Sequence, residues 1–87
     1  MSRYRIYLTS RAEKDYKKLT PPVKERIKKA ILQLEVTRTP PKFKTLIGKD
    51  IAQYRIRIGD YRVLYDVYDD DEVVFILRIG YRKDIYR

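Results

Sequence analysis

The 87-residue chain contains no cysteine and no histidine, which narrows the chemistry that it can perform. Without cysteine, neither a disulfide framework nor a thiolate metal site is possible. Without histidine, the commonest general base and metal ligand is missing, and a Ser-His-Asp triad cannot form. The three glycines, at positions 48, 59 and 80, are too far apart for a phosphate-binding glycine loop. The acidic run 69–72 lacks the glycine and ligand spacing of a calcium loop, so we expect a solvated turn, and no metal or cofactor.

Long apolar segments are also missing. The longest apolar run, residues 73–77, is far below the roughly 20 residues that span a bilayer. Residues 1–5 contain no apolar signal-peptide core. A hydrophobic content of 44% is sufficient for a folded core, and the length fits one domain. We therefore expect a single domain over residues 1–87, in the cytoplasm and without a membrane partner.

Positive charge is abundant and unevenly distributed. The net charge is +9, and fourteen basic but only four acidic residues precede Asp50. So high a charge on so short a chain is typical of a protein with a polyanionic partner. Solvated helix faces and attraction to anionic lipid are the alternatives, and we favour a nucleic acid.

The first half of the chain predicts a strand and two helices. Residues 4–8 alternate as a strand does. Ser10 and Glu13 fit a capping box that opens a helix over residues 11–19. The prolines after Thr20 end that helix and start a second one. Helical spacing places five apolar residues on one face: Val23, Ile27, Ala30, Ile31 and Leu34. Four basic residues lie off that face: Lys24, Arg26, Lys28 and Lys29.

The second half predicts a β-hairpin and a final strand. Residues 37–44 are expected to form a loop. Two alternating runs, 54–58 and 61–67, flank Gly59-Asp60, which is typical of a two-residue type II′ turn. Residues 73–79 are apolar on both faces and predict an interior strand. The predicted fold is therefore α+β, in the order β-α-α-β-β-β, with a small twisted antiparallel sheet and a helix hairpin packed on one face.

The hairpin predicts where three arginines lie. With Gly59-Asp60 as the turn, Arg57 pairs with Arg62, and Arg55 lies on the same face. That face is opposite the apolar residues that meet the helices, so we expect the three arginines to point outward. An anion between them would offset the repulsion of paired like charges, and the arginine fork suits phosphate. An exposed surface charged for solubility is the alternative.

The tail adds aromatic rings to this basic surface. Tyr81 and Tyr86 alternate with Arg82 and Arg87 after Gly80. Tyrosines interleaved with arginines suit single-stranded RNA, because bases stack on the rings. A frayed terminus, or a tyrosine that packs in the core, is the alternative.

Residues 54–65 (YRIRIGDYRVLY), the apolar strand and residues 80–86 (GYRKDIY) resemble the RelE/ParE toxin superfamily. The resemblance to the RelE branch implies a type II toxin: a ribosome-dependent endoribonuclease that cuts messenger RNA. It also implies a cognate antitoxin, whose extended peptide and helix wrap the toxin and mask its basic face.

The resemblance also implies roles for individual residues. It places Arg62, Arg82 and Tyr86 in catalysis, and Arg55 and Arg57 in RNA binding. The pattern of the tail adds Tyr81 to the expected RNA-binding residues. Similar nucleases often carry lysine where Arg55 and Arg57 stand. An acid role for those two positions is not expected here, because arginine retains its proton. Without histidine or cysteine, we expect metal-independent transesterification supported by positioning and positive charge.

Two functions of other classes remain open. A ParE-like toxin would share the fold and inhibit DNA gyrase by binding it. A non-catalytic nucleic-acid-binding module would bind RNA without cutting it. The combination of Arg55, Arg57, Arg62, Arg82 and Tyr86 favours the endoribonuclease, because a protein binder has no evident need for all five.

Overall fold

The structure, a computed structural model, describes residues 3–38, 43–45 and 52–83, with the backbone alone at 43–45. Within these residues, two helices and five strands follow one another: β1 (Arg5–Leu8), α1 (Ser10–Lys17), α2 (Pro21–Gln33), β2 (Phe43–Thr45), β3 (Tyr54–Ile58), β4 (Tyr61–Tyr68) and β5 (Val73–Tyr81). The strands form one sheet in the order β1-β5-β4-β3-β2. The predicted α+β class is confirmed, and β5 is an interior strand as expected.

The sheet differs from the prediction in two respects. Strand β1 pairs with β5 in parallel, so the sheet is mixed rather than wholly antiparallel. Strand β2 pairs with β3, and its first two residues belong to the stretch 37–44 that was expected to be a loop. Alternation of apolar residues reports the faces of a strand but not its direction, and β1 is separated from β5 by both helices and the hairpin. A three-residue strand is also too short to show alternation.

Helix α1 begins at Ser10, one residue earlier than predicted. The N-cap is Thr9, not Ser10, and its Oγ1 accepts a hydrogen bond of 3.1 Å from the amide of Ala12. The same hydroxyl donates to the carbonyl of Leu77 on β5, at 3.1 Å. Thr9 therefore caps the helix and ties its start to the sheet, a tertiary contact that Ser10 does not supply.

Both helices pack on one face of the sheet, as predicted. Ile27, Ile31 and Leu34 of the predicted apolar face are buried there, while the α2 residues Arg26 and Lys28 are exposed. In the described part of the chain, the main core contains these buried residues: Ala12, Ile27, Ile31, Leu34, Ile56, Val63, Tyr65, Val74, Ile76 and Ile79. Neither described helix is both long and apolar enough to cross a membrane.

The β3–β4 hairpin has the predicted register. Arg57 pairs with Arg62, and Ile58 pairs with Tyr61, so Gly59 and Asp60 are the two turn residues. Gly59 has φ +60°, whereas φ at Asp60 is not positive, which fits the predicted type II′ turn. A turn of this kind matches the twist of the two strands and fixes which side chains share a face.

Candidate nucleic-acid interface

A row of residues crosses three strands at the end of the sheet that carries the hairpin turn. Arg57 on β3 pairs with Arg62 on β4, and Arg62 pairs with Gly80 on β5. Paired residues share a face, and these three lie on the face away from the helices. Gly80 places no side chain beside Arg62. We call Arg57, Arg62 and Arg82, which follows Gly80 by two residues, the arginine row.

Contrary to the prediction, the side chain of Arg62 does not point into solvent. It is only 9% exposed, and its Nη1 donates to the carbonyls of Gly59, at 3.3 Å, and Tyr61, at 3.1 Å. The side chain therefore folds back over the hairpin turn, and its charge is held by the backbone of its own hairpin. The face of Arg62 was predicted correctly, but its exposure was not, because turn carbonyls compete with water for the guanidinium.

The two arginines of β3 differ in their surroundings. Arg57 is exposed near the turn, whereas Arg55 is half-buried further along the strand, paired with Leu64. Leu64 is fully buried in a second small apolar cluster with Ala52 and Leu77. Arg57 is therefore open to a large anionic ligand, while Arg55 borders an apolar patch.

Arg82 is fixed to the hairpin by its backbone. Its amide donates a hydrogen bond of 2.9 Å to the carbonyl of Asp60, and its side chain is exposed. The segment after β5 thus passes directly beside the turn that Arg62 covers. The structure brings Arg57, Arg62 and Arg82 to one end of the sheet.

Tyr81 lies at the same end but on the other face. It pairs with Tyr61, whose ring packs against the helix-side core, and the two ring centroids are 5.5 Å apart in an edge-to-face arrangement. Tyr81 remains 39% exposed. A ligand on the arginine row could therefore contact Tyr81 only by passing around the end of the sheet to the helix side. Tyr86 lies outside the described residues, so its predicted role stays a prediction.

An ion pair anchors the end of β5, and nothing in the sequence pattern predicts it. Oδ2 of Asp15 on α1 accepts from Nε of Arg78, at 2.9 Å, and from the amide of Ile79, at 3.0 Å. The side chain of Asp15 is 10% exposed and that of Arg78 is 19% exposed. A shielded carboxylate of this kind holds the strand that leads directly to Tyr81 and Arg82.

Two tyrosines away from the arginine row have raised pKa values. The hydrogen bond that Tyr4 donates to Asp69, 2.7 Å long, raises the pKa of Tyr4. Burial raises the pKa of Tyr65, whose hydroxyl donates to the carbonyl of Arg38 at 2.6 Å. Both tyrosines therefore act as neutral hydrogen-bond donors: Tyr4 joins the segment before β1 to the β4–β5 turn, and Tyr65 joins β4 to the segment after α2. Among the described residues, no three acidic side chains are grouped to hold a metal ion.

Comparison with known proteins gives consistent matches. The family model for the ParE toxin of the type II toxin-antitoxin system, parDE, matches residues 6–86. The chain is 33% identical to toxin RelG of Mycobacterium tuberculosis over 97% of both chains. It is 29% identical to the mRNA interferase toxin RelE of Escherichia coli, over 92% of this chain and 84% of that protein. A solved RelE–RelB complex from Pyrococcus horikoshii has a similar fold, with a TM-score of 0.80, 30% identity, and coverage of 97% and 99%. The likeness therefore extends over nearly the whole chain.

Proposed function

The chain belongs to the RelE/ParE toxin superfamily of type II toxin–antitoxin systems, and from this we propose that it is an endoribonuclease that cleaves messenger RNA. The similarity to a protein named mRNA interferase supports the activity. The observation that carries the proposal is the convergence of Arg57, Arg62 and Arg82 on one end of the sheet. Two guanidinium groups from β3 and β4, and a third from the segment after β5, suit the charge of a phosphodiester that is about to be cleaved.

The proposed reaction is transesterification within the RNA. The 2′-oxygen attacks the adjacent phosphorus, the bond to the 5′-oxygen breaks, and the products end in a 2′,3′-cyclic phosphate and a 5′-hydroxyl. The proton of the 2′-hydroxyl goes to a base, and the departing 5′-oxygen takes up a proton. Negative charge accumulates on the phosphorane oxygens between these events, and preorganised positive groups stabilise it.

Each site residue has a part in this proposal. Arg62 and Arg82 stabilise the phosphorane, and Arg57 and Arg55 orient the RNA backbone. Because hydrogen bonds to the turn already hold Arg62, its reorganisation cost on binding is small. Tyr86 stacks on a base or accepts the proton of the 2′-hydroxyl. Tyr81, on the helix side, offers a second ring for stacking.

Membership of this superfamily also suggests the binding partners of the chain. We propose that a cognate antitoxin binds this toxin, as RelB binds RelE in the archaeal complex. We further propose that the substrate is messenger RNA bound to the ribosome in the cytoplasm. A domain of this size has little surface with which to fix the geometry of a flexible strand, and the ribosome would supply that geometry.

A direct comparison of two targets tests the proposal. The purified protein is incubated with ribosomes that carry a defined message, and separately with DNA gyrase in a supercoiling assay. We expect cleavage of the ribosome-bound message, fragments ending in a 2′,3′-cyclic phosphate, and unaltered supercoiling. Inhibition of gyrase with intact message would contradict the proposal and support a ParE-like toxin, whereas RNA binding with neither effect would indicate a non-catalytic module.

A further inference from the structure

Helix α2 brings another arginine, Arg26, to the turn between β3 and β4. Nη2 of Arg26 lies 3.0 Å from the position that a Cβ on Gly59 would occupy. Gly59 also has φ +60°, a conformation that favours glycine. Glycine therefore serves two purposes here: it permits the turn, and it leaves room for the guanidinium of Arg26.

The same two-residue turn also contacts the arginine row. The carbonyl of Gly59 accepts from Nη1 of Arg62, and the carbonyl of Asp60 accepts from the amide of Arg82. Arginines from α2, β4 and the segment after β5 thus converge on Gly59-Asp60. Arg26 reaches the turn from the helix side. Its position continues the positive surface around the end of the sheet, toward the face that carries Tyr81.

Arg26 has no acidic partner at ion-pair distance among the described residues. It is exposed, and it forms no hydrogen bond or ion pair with any residue in the part of the chain that the structure describes. An arginine close to other arginines adds electrostatic repulsion between like charges, and a bound anion offsets that repulsion. The planar fork of arginine matches two phosphate oxygens.

We propose that Arg26 is a further RNA-binding residue of the site, and that it contacts a backbone phosphate where the strand passes over the hairpin turn to the helix side. The inference rests on the proposed function, which supplies single-stranded RNA as the substrate class. Tyr81 is exposed on that same side and end of the sheet, so a stacking ring and a phosphate contact are both present for the nucleotides beyond the arginine row.

Binding of an uncleavable RNA tests the inference. The probe is a short single-stranded oligonucleotide with 2′-O-methyl groups at every position, titrated with the full-length protein at several salt concentrations. The variants are Arg26→Gln, Arg26→Lys and, as a matched control, Lys28→Gln. Lys28 is also exposed on α2 and loses the same charge, but it lines a groove beside β1 with Ile6 and Leu8.

We expect Arg26→Gln to weaken binding about tenfold, which corresponds to about 1.4 kcal/mol. The slope of log affinity against log salt should become shallower by about 0.7, the value for one phosphate contact on a single strand. Arg26→Lys should fall between Arg26→Gln and the wild type, because it keeps the charge but loses the fork. Lys28→Gln should change binding about twofold or less, since it removes only long-range attraction.

Two outcomes would overturn the inference: unchanged binding by Arg26→Gln, or equal weakening by Arg26→Gln and Lys28→Gln. Loss of binding to an acidic antitoxin peptide, with RNA binding intact, would overturn it as well. Failure of the proposed function would give a different result from failure of this inference. If the wild type does not cut ribosome-bound message, yet Arg26→Gln alone weakens binding of the 2′-O-methyl RNA, the phosphate contact stands and the enzyme proposal fails.

Discussion

The amide of Arg82 donates a hydrogen bond of 2.9 Å to the carbonyl of Asp60, which joins the segment after the last strand to the turn of the β3–β4 hairpin. Arg62 covers the same turn through its bonds to Gly59 and Tyr61. The backbone of Arg82 and the side chain of Arg62, distant in sequence, are thus both fixed to one turn. Preorganisation of this kind lowers the cost of gathering positive charge around a phosphate.

The contrast between Arg62 and Arg82 predicts different effects on stability. Arg82→Ala removes an exposed side chain and should change the free energy of unfolding by no more than about 0.5 kcal/mol. Arg62→Ala removes charged hydrogen bonds to two carbonyls and should cost about 2 kcal/mol. Both variants should lose growth arrest when expressed. Urea unfolding of the two proteins measures the difference, and equal stabilities would show that the contacts of Arg62 with the turn contribute nothing.

The anchor at Asp15 predicts a loss of stability from a change outside the arginine row. Asp15→Ala leaves Arg78 without its carboxylate and the amide of Ile79 without its acceptor, so we expect a cost of about 3 kcal/mol. Glu25→Ala is the control, because Glu25 is an exposed acid on α2 and should change stability by at most about 0.5 kcal/mol. Thermal unfolding compares the two variants. A Glu25 variant as unstable as the Asp15 variant would assign the effect to net charge.

Alkaline pH should destabilise the fold through Tyr65. Burial raises the pKa of Tyr65 above the ordinary value of 10.0, so the folded state keeps this proton more tightly than the unfolded state. The resulting stability is complete below pH 10 and is lost as pH rises toward the folded-state pKa, by up to about 1.4 kcal/mol per pH unit. Unfolding free energies of the wild type and Tyr65→Phe between pH 8 and about 11 measure this. Tyr65→Phe should show a shallower decline, and parallel declines would contradict the assignment.

Local patterns in the sequence were sufficient to predict much of the fold. The hairpin register and turn type follow from alternation around Gly59-Asp60, and the interior position of β5 follows from its apolar residues on both faces. The helix pair follows from its spacing and prolines. These features depend on residues that are close together in the chain, so the local composition and the spacing of apolar residues determine them.

Features that depend on distant contacts could not be predicted in this way. The parallel pairing of β1 and the burial of Arg62 depend on how the elements assemble. The same holds for the close approach of Arg26 to Gly59 and for the ion pair of Asp15 with Arg78. The sequence pattern placed Arg26 only on a generic basic helix face, because helical periodicity shows which residues face away from the core but not which turn lies beside them.

Two substitutions at Tyr86 distinguish a role in proton transfer from a role in stacking. Tyr86→Phe keeps the ring and removes the hydroxyl. If that hydroxyl accepts the proton, the single-turnover rate should fall by about 10²–10⁴, with affinity for the ribosome nearly unchanged. Tyr86→Ala should lose affinity as well, by about 1–3 kcal/mol for the missing stack. A Phe variant as fast as the wild type would limit Tyr86 to stacking and leave catalysis to the arginines.

The most direct test of the arginine row is the single-turnover rate of cleavage of ribosome-bound message by Arg82→Ala, measured beside Arg5→Ala. Arg5 is also exposed and loses the same charge, but it lies on the edge strand β1, which is separated from β4 by β5. We predict a fall of at least about 100-fold for Arg82→Ala, as for the loss of one transition-state donor. We predict a rate near that of the wild type for Arg5→Ala. Equal rates for the two variants would contradict the assignment of the arginine row as the cleavage site.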